Sequence, residues 1–229
     1  HHYIVDVQQA VPAPLHYHGF PKSICTSVNN VICHGIPSDK ILKDGDIINI
    51  DITVIKDKYH GDTSKMFMLG KKPSIQAERI CRISYECMRM GIEMVKPGNH
   101  WNQPHEAAVK TITKGLIKLG ILKGNLRALI KEEAYRPFYM HRTGHWLGMD
   151  VHDVGDYKVG DEWRMLESGM VTTVEPGIYI NNNRKIPKQF RNIGIRIEDD
   201  VAITGKGPDV LSKGLPTDAD DIEALMRSA

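Results

Sequence analysis

The chain has almost no excess of charge of either sign. Its 30 Lys and Arg face 28 Asp and Glu, a net charge of +2. That removes the electrostatic ground for a nucleic-acid partner, whose phosphates call for a basic surface. No apolar run approaches the roughly 20 residues of a membrane span. No charged-then-apolar leader is present, so neither membrane insertion nor secretion is expected. The four cysteines, Cys25, Cys33, Cys81 and Cys87, form no Cys-x-x-Cys pair, so their spacing gives no support to a structural zinc site. They read as reduced, mostly buried thiols of a cytoplasmic protein. Low-complexity segments, strong linkers and a detectable internal repeat are also missing. His1-His2, with no initiator Met, reads as a tag remnant and is set aside.

What is present is ordinary globular material. At 229 residues, 41% hydrophobic and 25% charged, the chain fits one large domain or two small ones, with room for a sizeable core. Residues 23–29 read as a strand. Residues 47–55 and 59–69, separated by Lys56-Asp57-Lys58, read as a hairpin. A helix opens at Pro73-Ser74, with Ile80, Ile83, Cys87, Met90 and Met94 on one face, and Lys96-Pro97-Gly98 stops it. A second covers 103–119, with Ala108, Ile112, Leu116 and Leu119 aligned and Gly120 as its stop. Residues 125–134 form a third, shorter helix. Strands return at 170–174 and 191–204, and 217–226 reads as a terminal helix. The order predicts an α+β architecture, a curved antiparallel sheet with helices on its convex side.

Five residues carry the chemistry: Asp51, Asp62, His145, Glu175 and Glu198, each in or beside a strand-like stretch. Four carboxylates and one imidazole match the ligand needs of a pair of divalent ions. Asp51 and Asp62 are eleven residues apart across the hairpin, and are expected side by side on adjacent strands, about 5 Å apart. Taken singly, each residue is an ordinary polar group; an Asp on a hairpin is usually a turn or surface residue. Together, each in its local context, they point to one site. His100 and His105 read as plain surface residues. The row Lys110, Lys114 and Lys118 reads as a solvated helix face.

The motifs around these residues resemble the pita-bread metalloaminopeptidases, along nearly the whole chain. Residues 3–97 resemble a bacterial type I methionine aminopeptidase, through Tyr17-His18-Gly19-Phe20-Pro21-Lys22-Ser23, Cys33-His34-Gly35-Ile36-Pro37, Lys43-Asp44-Gly45-Asp46-Ile47-Ile48-Asn49-Ile50-Asp51 and His60-Gly61-Asp62-Thr63-Ser64-Lys65-Met66-Phe67. Residues 98–229 resemble aminopeptidase P, the Xaa-Pro aminopeptidase. The carriers there are Phe138-Tyr139-Met140-His141, the stretch from Gly144-His145-Trp146 to Val151-His152-Asp153-Val154-Gly155, Val174-Glu175-Pro176-Gly177 and Gly194-Ile195-Arg196-Ile197-Glu198-Asp199-Asp200. The expectation is a single pita-bread catalytic domain over 3–229, made of two pseudo-symmetric halves (3–97 and 98–229). The change of character near Lys96-Pro97-Gly98-Asn99 is consistent with a chimera of the two families. Methionine aminopeptidases carry a helix pair ahead of the segment matching Tyr3, and it is missing here. Part of the sheet is therefore expected to be uncovered, and the chain to self-associate as a homo-oligomer.

The resemblance implies two divalent metal ions, Mn first, with Co, Fe or Zn as alternatives. In it Asp51 is bidentate on one metal, Asp62 and Glu198 bridge both, and His145 and Glu175 complete the other, with Glu175 exchanging protons with a bridging water. His34, His141 and His152 polarise the substrate carbonyl or contact the leaving nitrogen, and Arg196 pairs with a ligand carboxylate. Tyr17, His18, Phe20, Cys25 and Val151 line the substrate pocket. Val151 stands where the methionine pocket has an aromatic residue, which weakens recognition of Met.

The implied function is hydrolysis of the N-terminal peptide bond of peptide substrates, Xaa-Pro or Met-first, by a metal-bridged hydroxide. The alternatives are a catalytically impaired chimeric or designed scaffold on the same fold, and a prolidase-like dipeptidase.

Overall fold

The computed structural model describes residues 1–70 and 74–228. After a short helical turn at Tyr3–Val7 come β1 (Val11–Pro12), β2 (Cys25–Val28), β3 (Ile47–Lys56) and β4 (Tyr59–Met68). Three helices follow: α1 (Ile75–Met94), α2 (Gln103–Lys118) and α3 (Leu126–Lys131). The chain then forms β5 (Lys158–Val159), β6 (Glu162–Trp163), β7 (Val171–Val174), β8 (Gly177–Ile180), β9 (Ile193–Arg196), β10 (Asp199–Thr204), β11 (Gly207–Val210) and α4 (Ala219–Ser228). All strand pairing is antiparallel. β3 lies between β4 on one side and β1 and β2 on the other, while β10 lies between β7 and β11. β8 and β9 form their own hairpin.

The long β3–β4 hairpin corrects one expectation. Its turn residues Asp57 and Lys58 both have positive φ, 50° and 72°, as a two-residue I′-type turn requires. That turn pairs Lys56 with Tyr59, and the register follows: Asp51 faces Ser64, and Asp62 faces Thr53. The two carboxylates share a face of the hairpin but stand diagonally, not directly opposite. Thr53 fills the gap, its hydroxyl donating to Asp62 Oδ1 at 2.8 Å.

The strand read over 191–204 is broken. β9 ends at Arg196 and β10 begins at Asp199, with Glu198 bridging sideways to Ser64 of β4. The chain changes pairing partner at that residue, which joins the first half of the molecule to the second. β8 was not anticipated, although Gly177, Ile178, Tyr179 and Ile180 are all buried. A four-residue apolar run carries too little periodicity to separate from a loop.

The expected helix opening at Pro73-Ser74 falls partly outside the described residues, which exclude Pro73. Ser74 caps α1, its hydroxyl accepting from the Ala77 amide. The face α1 turns inward matches the expected one only at Ile80 and Cys87. Ala77, Ile80, Ser84, Cys87, Met88 and Gly91 are buried, while Ile83, Met90 and Met94 are only half-buried. Small residues win the contact because they let the helix approach the sheet; a Cβ on Gly91 would lie 3.1 Å from Val174 Cγ1. On α2 the expected face is observed, with Ala108, Ile112 and Leu116 fully buried, and Gly120, at φ +70°, ends the helix. Lys110, Lys114 and Lys118 are exposed.

Ile52, on the face of β3 opposite Asp51, is exposed, as is Tyr59; among the described residues that part of the sheet is incompletely covered. No helix among them is long and apolar enough to cross a membrane. Leu116→Ala is expected to lower unfolding free energy by about 2–5 kcal/mol in denaturant titrations. Lys114→Ala should change it by no more than about 0.5 kcal/mol.

Candidate metal centre

Each of the five expected ligands is presented differently. Asp51 and Asp62 project from the β3–β4 hairpin, Glu198 from the junction of β9 and β10, and Glu175 from the turn between β7 and β8. His145 lies in an extended segment beside β7. There its amide donates to Thr173 Oγ1 at 3.1 Å, and its carbonyl accepts from the Thr173 amide at 3.0 Å and the Thr172 hydroxyl at 2.9 Å. Gly144 makes this approach possible, since a Cβ there would lie 2.0 Å from the Thr173 carbonyl oxygen. Glu175 is tied to the same segment through its amide, which donates to the Thr143 carbonyl at 2.7 Å.

These segments converge. Single ligand atoms of Asp62, His145 and Glu198 lie within 4.8 Å of one another. His145 Nε2 is 3.6 Å from Glu175 Oε1 and 3.9 Å from Asp62 Oδ2. Its Nδ1 lies 3.0 Å from the Trp146 carbonyl oxygen. As a donor there, Nδ1 leaves the Nε2 lone pair facing the carboxylates. Asp51 is engaged by Arg196 Nη2. Arg196 is itself buried and steadied by Ser64 and Asn49. Burial works against its charge, but Asp51, Glu198 and Glu175 outweigh that and hold the guanidinium ionised.

One buried guanidinium does not balance four carboxylates. Asp62 is pushed well above the ordinary carboxylate range, first by burial and then by the charge of Asp51. Glu198 is pushed up by burial, then by Asp62 and Glu175. Glu175 is raised chiefly by burial. Protons therefore occupy places that cations would take, and an oxygen-rich set with one imidazole suits divalent ions of the Mn, Fe, Co and Zn group. The residues fit a metal centre.

Above these groups opens a cavity of about 650 Å³. Its walls include all five expected ligands, Arg196, His34, His152, and the expected pocket residues Tyr17, His18, Phe20, Cys25 and Val151. The Tyr17 hydroxyl lies 3.4 Å from His152 Nδ1, and the rings of His145 and His152 meet edge-on at 4.5 Å. Burial pushes the Cys25 thiol up to about 12, so it serves as an apolar wall and not as a nucleophile. Lost hydration lowers both His34 and His152, helped by Arg196 in the first case and His145 in the second. Both imidazoles are therefore neutral near pH 7. His141 is not on the cavity wall; its Nε2 lies 2.8 Å from the Tyr179 hydroxyl and its Nδ1 2.7 Å from the Arg142 carbonyl oxygen.

Several residues here gave no sign in the sequence. Thr53, Thr172, Thr173 and Tyr179 act through hydrogen bonds between elements far apart in the chain, which no local pattern announces. His105 is not the plain surface residue expected. It is half-buried, with Nδ1 2.9 Å from Thr143 Oγ1, which also lies 2.6 Å from the Tyr139 hydroxyl, and burial lowers its pKa to about 3.

Residues 4–205 match metallopeptidase family M24. The chain is 43% identical to the Xaa-Pro aminopeptidase of Haemophilus influenzae over 198 residues, 86% of this chain and 46% of that protein. It is 39% identical to the methionine aminopeptidase of Salmonella typhimurium over 222 residues, 92% of this chain and 76% of the relative. The structure of aminopeptidase PepP from Pseudomonas aeruginosa superposes with a TM-score of 0.86 at 42% identity, covering 99% of this chain and 55% of that one. The chain thus spans about half the length of the Xaa-Pro aminopeptidases it matches. The expected pita-bread fold is the one these neighbours share. Because both kinds of relative align along most of the chain, the alignments mark no join near residue 97.

Two outcomes are expected. In the metal-free fold Asp62, Glu175 and Glu198 keep protons that the unfolded chain releases in the ordinary carboxylate range. Their contribution to stability should therefore fall as pH rises through their elevated values, seen as a melting temperature that declines more steeply with rising pH in the parent than in Glu198→Gln. Saturating Mn²⁺ should raise it more at the higher pH, because fewer protons must leave. A metal-induced shift that does not grow with pH would contradict the raised carboxylates. Gly144→Ala, by pushing His145 off β7, should weaken Mn²⁺ binding about tenfold or more in calorimetry.

Proposed function

This chain belongs to metallopeptidase family M24, and on that premise we propose that it is a dinuclear metal-dependent aminopeptidase acting on peptides with a free N-terminus. The observation that carries the reading is the cluster of four carboxylates and His145 at the floor of one cavity. Two divalent ions held by Asp51, Asp62, His145, Glu175 and Glu198 would supply Lewis acidity and acidify a water.

The chain's own residues account for the rest. A free N-terminal amine, in its neutral form, could add one more donor to the loaded site, and the nitrogen of an internal peptide bond has no lone pair to offer, which favours cleavage at the first residue. Glu175, with its raised pKa and buried carboxyl, is suited to accept a proton from water and pass it to the departing amine. Neutral His34 and His152, both on the cavity wall, can donate a hydrogen bond to the substrate carbonyl without adding charge. His141 is bonded through Nε2 to the Tyr179 hydroxyl, outside the cavity wall. Arg196 pairs with the Asp51 carboxylate and orients it toward the cavity.

Substrate choice falls to the rim formed by Tyr17, His18, Phe20, Cys25 and Val151. Val151 supplies a small aliphatic wall where the methionine pocket of the resembled family has an aromatic ring, which weakens recognition of Met. The high identity to an Xaa-Pro aminopeptidase supports Xaa-Pro peptides as the first substrates to test, with Met-first peptides second. Mn²⁺ is the first metal to test, for the hardness of the donor set.

The test is hydrolysis of Ala-Pro-Ala and Met-Ala-Ser by protein loaded with Mn²⁺ or Co²⁺. Cleavage of Ala-Pro-Ala is expected to exceed that of Met-Ala-Ser, and Glu198→Ala is expected to abolish both. Folded, metal-loaded protein that cleaves neither would refute the aminopeptidase reading. Cleavage confined to Xaa-Pro dipeptides would assign a dipeptidase instead.

A further inference from the structure

Among the described residues Lys65 is the only buried lysine. It sits on β4, one residue past Ser64 and on the face of the strand opposite Asp62. Its ammonium donates to three acceptors: Asp199 Oδ1 at 2.7 Å, the Glu198 carbonyl at 3.1 Å and Thr217 Oγ1 at 3.4 Å. An ammonium has three protons, so this set is complete. The Asp199 carboxylate also accepts from the Ser212 hydroxyl at 2.7 Å.

The arrangement bears on Glu198 more than on any other residue. The Glu198 amide donates to the Ser64 carbonyl at 3.1 Å. Its carbonyl accepts from Lys65 and, at 3.2 Å, from the Thr63 hydroxyl. Both polar groups of this residue are thus bonded to β4, the strand that also presents Asp62. Glu198 has no longer ladder to fix it, because it lies between β9 and β10. Without Lys65 its carbonyl would lose its one charged donor, and Asp199 would be a buried carboxylate lacking its ion-pair partner.

We propose that Lys65 is a positioning residue of the metal centre: by clamping the Glu198 peptide and Asp199 to β4 from behind, it sets the distance between the Asp62 and Glu198 carboxylates. The inference rests on the metal-centre reading above. It makes Lys65 a determinant of metal retention although it faces away from the cavity and meets neither ion nor substrate.

The test is Mn²⁺ affinity and stoichiometry by calorimetry, with metal-free melting temperature recorded in parallel. Lys65→Met is expected to lower affinity about 10- to 100-fold, the range for residues that orient ligands. Lys65→Arg should restore most of it, since a guanidinium can bond both Asp199 and the Glu198 carbonyl. Lys65→Met alone leaves Asp199 unpaired and is expected to melt lower. The double variant Lys65→Met/Asp199→Asn removes that buried charge, so it should recover melting temperature but not affinity. A double variant that binds Mn²⁺ as tightly as the parent overturns the proposal and leaves Lys65 a purely structural ion pair. A parent protein that binds no Mn²⁺, or binds it unchanged after Glu198→Ala, overturns the metal-centre reading and this proposal with it.

Discussion

The structure is organised around an electrostatic problem: Asp51, Asp62, Glu175 and Glu198 share one sheltered site with a single buried guanidinium among them. Burying one carboxylate is costly, and neighbouring like charges add to that cost. The fold does not relieve it with further basic side chains on the site. Protons in the metal-free state, or divalent cations in the loaded one, have to supply the missing positive charge. That need accounts for the raised carboxyls and for the choice of hard oxygen donors.

Groups that repel one another stay in place only if their backbones are held independently of their charges. Asp51 lies inside the β3 ladder, between Cys25 of β2 and Ser64 of β4, and the other four ligands show holds of their own. The Asp62 amide donates to Asp200 Oδ2 at 2.9 Å, the Glu175 amide is bonded to Thr143, and His145 is laced to Thr172 and Thr173. Glu198 is bonded through both amide and carbonyl to β4. Behind these segments, α1 comes close to the sheet through Ala77, Ser84 and Gly91, and α2 buries Ile112 and Leu116. The floor of the cavity is therefore held by backbone bonds that do not depend on the charges of the ligands. The rim is built otherwise, from tight turns in which His16, His18 and His34 all take positive φ, a conformation non-glycine residues hold only when their surroundings impose it.

Much of this was legible in the residues alone. The β3–β4 hairpin, α1, α2 and the terminal helix follow from turn chemistry, capping and apolar spacing, because those signals are local. Asp51, Asp62, His145, Glu175 and Glu198 stood out as a set because a divalent centre needs such donors, and the structure brings them together. Other features were not legible. The diagonal placement of Asp51 and Asp62 depended on a turn of two residues rather than three. The inward face of α1 adds Ala77, Ser84 and Gly91, small residues that hydrophobic periodicity passes over, to Ile80 and Cys87. β8 was too short to show a period.

By itself the sequence determined the family, the α+β architecture and the inventory of donors, since these depend on residue types and short-range spacing. Only the tertiary structure decided which contacts hold the donors in register. The bonds from Lys65 to Asp199 and from Asp62 to Asp200 join residues 134 and 138 positions apart. Lys65 looks like a surface cation and Asp199 and Asp200 like a solvated acidic pair until β4 meets β10 in the closed fold. Burial then turns ordinary polar residues into the frame of the site, and burial is a property of the closed fold that no stretch of sequence contains.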